Sequence, residues 1–186
     1  IVTGVENSRK GSIDIFITND LLEQARGILS WRVVDVEGKT LLKGSRRCGI
    51  GRGESRKMHA LKLGELAAER GGEIVVYMEF RSGRWKSENL VTMVRPAELK
   101  LSNDPGITVT GRKKGAGEFE VVLSAKKPAL WTWLEFKGAV FSDNFFHLVP
   151  GRPIRVHVET GKSVSADSFR RGLVVKSLVD TYGGRT

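Results

Sequence analysis

Three kinds of side chain in this sequence could carry chemistry: paired carboxylates, imidazoles and tryptophans. Glu118 and Glu120 stand two residues apart. Two carboxyl groups are what hydrolysis of a glycosidic bond needs, held about 5 Å apart where configuration is retained. Alternate residues on a strand point the same way with Cα atoms ~7 Å apart, and Lys126-Lys127 lie close in sequence, so this pair reads as a solvated face. His59, His147 and His157 are scattered without metal-ligand spacing, and each reads as a surface or turn residue. No Ser/His/Asp set follows from spacing. Cys48 is alone, so no internal disulfide can form. Gly49-Ile50-Gly51-Arg52-Gly53 lacks the final glycine of a dinucleotide fingerprint and the Lys-Ser/Thr of a Walker loop; it reads as a flexible basic turn. Trp131 and Trp133, at i and i+2 on a strand, would stand side by side as a carbohydrate-stacking pair, with core or interface packing as the competing reading. No catalytic residue, cofactor or metal site is expected.

The densest signal is Phe141-Ser142-Asp143-Asn144-Phe145-Phe146-His147-Leu148-Val149-Pro150-Gly151. Ser142-Asp143-Asn144 are side chains that bond their own backbone and tolerate left-handed geometry, so they predict a tight turn. Phe141, Phe145, Phe146, Leu148 and Val149 are an apolar load too large to leave in water. Pro150-Gly151 is a second turn. The composition describes a corner pinned into a core. The alternative is a ligand site built from Asp143, Asn144 and His147, or an interface lined by His147.

The elements that position these residues read as strands. Ile13, Ile15 and Ile17 share one face of a half-buried strand. A second strand over 28–36 points Leu29, Trp31 and Val33 inward, with Trp31 filling the centre of a sandwich. The Glu37-Gly38 turn leads into 40–42. Strands follow over 55–63, 73–80 and 87–94, with the only short helix near 61–70 stopped by Gly71-Gly72. Arg95-Pro96 marks a join, since proline disfavours helix before it and cannot donate to a ladder. Beyond it, strands are expected over 107–110 and 118–124, separated by a basic glycine-rich loop over 111–117, then over 129–136, 153–159 and 172–178. The tail from Tyr182 to Thr186 reads as frayed. Short strands with turn signals between them describe an all-β chain: two tandem immunoglobulin-like β-sandwich domains, over 1–97 and 98–186.

The net charge of +10 raises a polyanion as partner. The basic clusters Arg46-Arg47, Arg56-Lys57, Arg112-Lys113-Lys114, Lys126-Lys127 and Arg170-Arg171 are spread over both halves, and each reads as a solvated patch, so a nucleic-acid partner is not expected. No apolar run reaches bilayer length and no signal peptide is visible at Ile1-Val2-Thr3-Gly4, so a soluble chain without a membrane partner is expected. The absence of an initiator Met suggests a fragment or a processed chain.

The stretch from Phe141 to Gly151 resembles a signature near the C-terminus of β-mannosidases and their relatives in glycoside hydrolase family 2. The rest of the second half resembles the same group, through its proline-started strand after Pro150-Gly151 and its terminal Val175-Lys176-Ser177-Leu178 strand. The first half resembles the group's preceding immunoglobulin-like domain, in Ile17-Thr18-Asn19-Asp20, Trp31 to Asp35 and the Glu37-Gly38 turn. The resemblance implies a C-terminal accessory region whose partners are the catalytic barrel and other domains of the same polypeptide, with β-mannoside-containing glycans as a further candidate. It also implies a parent that is a retaining exo-glycosidase, whose two catalytic glutamates lie on a (β/α)₈ barrel preceding these domains. Nothing here reads as eight βα units, and Glu118, Glu120 and Glu135 match no catalytic motif of the family. Ser142, Asp143, Asn144, Phe145, Phe146, Pro150 and Gly151 are expected to be structural, and Trp131, Trp133 and His147 to touch either carbohydrate or another domain.

Overall fold

A computed structural model describes residues 1–182 and divides the chain into two compact units, Ile1–Lys100 and the residues from Leu101 onward. Lys100 stays with the first unit because its N–H donates to Gly72 O (2.8 Å) and its Nζ pairs with Glu73 (2.9 Å). Gly183 to Thr186, most of the expected tail, lie outside the described residues.

The first unit contains β1 (Val2–Asn7), β2 (Ser12–Asn19), β3 (Ala25–Asp35), β4 (Thr40–Ile50), β5 (Glu54–Lys62), the helix α1 (Glu65–Arg70), β6 (Ile74–Ser82) and β7 (Trp85–Thr92). They form two antiparallel sheets, β1-β2-β5 and β4-β3-β6-β7. The alternation of β2 does what its pattern requires: Ile13, Ile15 and Ile17 are sealed against Leu29 and Val33 of β3 and Val76 and Met78 of β6. Gly38, at φ 94°, closes the turn after β3, where Asp35 Oδ1 accepts N–H groups of Glu37 and Lys39.

β1 is not among the strands expected from the sequence, and two further features differ from expectation. Trp31 lies on the inward face but is only half-buried, stacked on His59 with ring centroids 4.1 Å apart. It also lies across Gly44, where a Cβ would come within 2.5 Å of the ring. The glycine-rich stretch is part strand, since β4 runs through Gly49 to Ile50 and only Gly51-Arg52-Gly53 turns.

The second unit contains β8 (Ile107–Gly115), β9 (Glu118–Ala125), β10 (Ala129–Glu135), β11 (Ala139–Phe141), β12 (Phe146–Leu148), β13 (Ile154–Thr160), the helix α2 (Ala166–Gly172) and β14 (Val174–Lys176). Its sheets are β11-β13-β9-β8 and β12-β10-β14. Phe119, Val121 and Leu123 of β9 and Val156 and Val158 of β13 pack against Leu134, Leu148 and Phe169. The Phe119 and Phe169 rings stack with centroids 4.0 Å apart.

The loop expected over 111–117 is instead mostly strand, because β8 stays paired with β9 as far as Gly115. The strand expected over 172–178 shrinks to β14, and α2 precedes it. Ser165 caps that helix by accepting the Ser168 N–H, while Asp167 in its first turn and Arg170-Arg171 in its last suit the helix dipole. Among the described residues no helix is long and apolar enough to cross a membrane.

Candidate functional site

The Phe141 to Gly151 stretch leaves one sheet of the second unit and enters the other. Each step is held by a side chain behaving as backbone. Ser142 extends the pairing of β11 with β13: its N–H donates to His157 O (2.9 Å) and its Oγ accepts the His157 N–H (2.9 Å). Asp143 Oδ1 accepts the Asn144 N–H (2.8 Å), which fixes the turn. Asn144 then reaches β10: its Oδ1 accepts the Leu134 N–H (2.8 Å) and its Nδ2 donates to Leu134 O (3.0 Å). A carboxamide carries the same donor and acceptor as a peptide group, so it can substitute for a missing strand neighbour. Phe146 and Leu148 are buried on β12. Pro150 and Gly151 form the next turn, closed by the Arg152 N–H on Val149 O (3.0 Å), with Gly151 at φ 76° as proline-glycine turns require.

The facing strand β10 is not regular. Ala129 pairs with Leu148 and Thr132 with Phe146, so β10 has one residue more than β12 over this interval. The bulge is absorbed at Trp131, whose φ of 46° is left-handed. The Trp131 N–H leaves the ladder and donates to His147 Nδ1 (3.2 Å), and the two rings meet edge to face at 5.1 Å. His147 therefore keeps Nδ1 unprotonated. Burial pushes its pKa down from 6.5 to about 4, consistent with a neutral imidazole that holds an otherwise orphaned backbone donor.

Trp131 and Trp133 are both half-buried, alternating with buried Leu130, Thr132 and Leu134, and each has its own partners. The Trp133 indole N–H donates to Glu135 Oε1 (2.7 Å). Phe145 stacks on the Trp133 ring, with centroids 6.0 Å apart and planes 20° apart. Lys176, opposite Trp133 on β14, brings its Nζ to 5.9 Å from the ring and 3.8 Å from Glu135. Phe145 is itself left-handed, at φ 60°, and 63% exposed. A bulky residue in this region costs roughly 1–3 kcal/mol, and the ring, read from the sequence as part of an apolar load that must leave water, stays largely in solvent because the left-handed turn points it away from the core that takes Phe146.

The remaining sequence candidates do not join this patch. Glu118 is exposed. Glu120 bonds Arg155 (3.1 Å) with Lys114 at 3.5 Å; desolvation raises its pKa, but the two cations outweigh that and lower it. His157 is exposed on β13, and His59 lies under Trp31 in the first unit. Glu135 and Lys176 were not singled out in the sequence as site residues. The alternation of Trp133 with Glu135 was the available signal; their meeting with β14 was not legible.

Comparison with known proteins gives two family models covering most of the chain. A mannosidase Ig/CBM-like domain matches residues 11–96, and an Ig-fold domain of mannosidases matches residues 102–181. Beta-mannosidase A of Aspergillus flavus is 23% identical over 96% of this chain, and that of Neosartorya fischeri 26% identical over 97%. In both cases the chain spans about a fifth of the relative's length (21%). Among solved structures, a beta-D-mannosidase from Dictyoglomus thermophilum matches 95% of the chain, and 21% of its own, with a TM-score of 0.75 at 17% identity. An exo-chitosanase from Amycolatopsis orientalis matches 95% of the chain, and 25% of its own, with a TM-score of 0.58 at 9% identity.

Proposed function

Since the chain belongs to the β-mannosidase group as its paired immunoglobulin-like domains, we propose that it is a non-catalytic accessory region of a longer retaining exo-glycosidase, which supports the catalytic barrel and shapes the edge of its pocket. The observation that carries this reading is Phe145, held exposed by a left-handed backbone and stacked on Trp133. Strain of this kind persists where the surroundings impose it, and it clusters at functional positions. An aromatic anchor with a polar rim, here Glu135 and Lys176, has the composition of an interface centre.

What favours a domain contact over a glycan platform is that Trp133 is already flanked by Phe145 and approached by Lys176, while Trp131 is engaged with His147.

The test has two parts. Immunoblotting of the source cells with an antibody to this chain is expected to give a band several times larger than 20.5 kDa. In that longer protein, Phe145→Ser is expected to lower the melting temperature by several degrees and reduce glycosidase activity, because an interface anchor commonly contributes about 2 kcal/mol or more. A band at the size of this chain would sink the reading. So would a Phe145→Ser protein that melts and hydrolyses normally.

A further inference from the structure

The outer face of the β3–β4 pair carries charge that these two strands do not balance. Ala25, Leu29 and Val33 of β3 and Ile50 of β4 point into the core. The alternate residues Arg26, Ile28 and Ser30 of β3, and Lys43, Ser45 and Arg47 of β4, therefore face outward. Pairing sets Arg47 beside Ile28 and Ser45 beside Ser30, with Arg26 one outward row beyond Arg47 and Lys43 one row beyond Ser45. No Asp or Glu occurs from Ala25 to Val34 or from Thr40 to Ile50. Glu79 faces Ser30 from β6, but Arg81 donates two hydrogen bonds to it.

Arg26, Lys43 and Arg47 are exposed, and among the described residues none of the three has an ion-pair partner. Arg26 donates only its Nε–H, to Gln24 (3.2 Å). The hydroxyls of Ser30 and Ser45, between the rows of Arg47 and Lys43, likewise have no hydrogen bond among the described residues. Successive outward rows lie about 7 Å apart, which is inside the Debye length of ~8 Å at physiological salt, so the cations of adjacent rows repel one another.

We infer that this face binds an acidic segment of a protein chain in extended conformation. Alternate side chains of an extended chain repeat at the same spacing of about 7 Å as the rows. Carboxylates at every second position therefore fall over Arg26, Arg47 and Lys43, and the two serine hydroxyls supply donors in the row between. Ile28, 48% exposed, stands in the middle of the charge with Arg47 on one side and Arg81 on the other. The methylene stems of acidic side chains cover it, whereas the hydroxyls of an acidic polysaccharide would lose water against it. None of the six outward residues is aromatic, so nucleic-acid bases have no stacking platform. Exposed ion pairs are individually weak, so the complex is expected to be transient and salt-sensitive. The strip does not include the Phe145 patch and is independent of the accessory-region reading.

The test is a titration of the 186-residue chain with a fluorescent peptide of alternating Glu and Thr, followed by anisotropy. Binding is expected at about 20 mM NaCl and should weaken about tenfold at about 150 mM. Arg47→Glu with Lys43→Glu should lower the low-salt affinity at least about tenfold. Lys10→Glu with Lys162→Glu makes the same charge change at exposed positions off the strip and should alter the affinity by less than about twofold. If the first pair fails to fold, Arg47→Gln with Lys43→Gln reads the same loss. No binding at low salt overturns the inference, and so does an equal loss from both charge-reversed pairs, which would report net charge alone. Tighter binding of a heparin oligosaccharide or an oligothymidylate than of the peptide, abolished by the Arg47 and Lys43 changes, overturns the assignment of a protein partner.

Discussion

His147 shows how one residue type can be visible in a sequence while its task is not. The sequence places it in a turn-rich aromatic stretch, but its partner is a backbone N–H displaced by a bulge on another strand, which no local pattern reports. The contact has a pH signature. The folded imidazole has its pKa lowered to about 4 from 6.5, so above pH 6.5 both folded and unfolded states are neutral and the stability of the unit is complete. Between pH 6.5 and about 4 the unfolded chain takes up a proton that the folded one refuses, and stability falls by up to about 3 kcal/mol. Denaturant midpoints at pH 7 and pH 4.5, followed by tryptophan fluorescence, should differ by less in His147→Asn, which keeps an acceptor but does not titrate. Asn144 is the opposite case, since its turn preference was readable but its pairing with Leu134 was not. Asn144→Ala strands a donor and an acceptor and is expected to cost about 3 kcal/mol in chemical unfolding.

The elements were legible where burial imposes a period, and obscured where solvent does. Ile13, Ile15 and Ile17 announce β2, and Val156 and Val158 announce β13, because one face of each must be dry. The residues of β8 are mostly exposed, so Gly111-Arg112-Lys113-Lys114-Gly115 looks like a loop although it is paired. α2 was missed because only Phe169 of its residues is buried, which leaves the Ser165 cap and the charged ends as its signal.

The densest cation clusters on strands fall at sheet edges. β4, β5 and β8 are edge strands; they carry Lys43, Arg46 and Arg47, then Arg56, Lys57 and Lys62, then Arg112, Lys113 and Lys114, whereas the central strands β2, β9 and β10 carry no Lys or Arg and β3, β6 and β13 carry one or two arginines each, and the edges β1, β11 and β12 carry no cation. Cations on an exposed edge discourage a second sheet from pairing there. Replacing Arg112, Lys113 and Lys114 by Thr should lower stability by less than about 1 kcal/mol, yet raise light scattering during storage at high concentration. Unchanged scattering would mean that the edge is protected some other way.

For the molecule as a whole, the two-sandwich plan was readable because each half repeats the same grammar of alternating strands and turns, and because Pro96 interrupts it. At the join, Lys100 is tied to the first unit through Gly72 and Glu73, long-range contacts with no local signature. Each sheet closes within its own unit. Residues 1–100 and the piece beginning at Leu101, produced separately, should therefore each give a β-sheet circular dichroism spectrum and a cooperative melt; a piece that stays unfolded would refute this.

Within the second unit, the crossing from β11 to β12 has a consequence in time. Ser142 pairs within the sheet of β11 and β13, but Asn144 can engage Leu134 of β10 only once the other sheet exists, so its bonds belong among the last to form and the first to open. Contacts absent from the folding transition state govern how long a protein survives, not how quickly it assembles. Stopped-flow measurements on Asn144→Ala should then show refolding at its usual rate and unfolding accelerated on the order of a hundredfold. The loop would act as a latch that sets the lifetime of a sandwich already built.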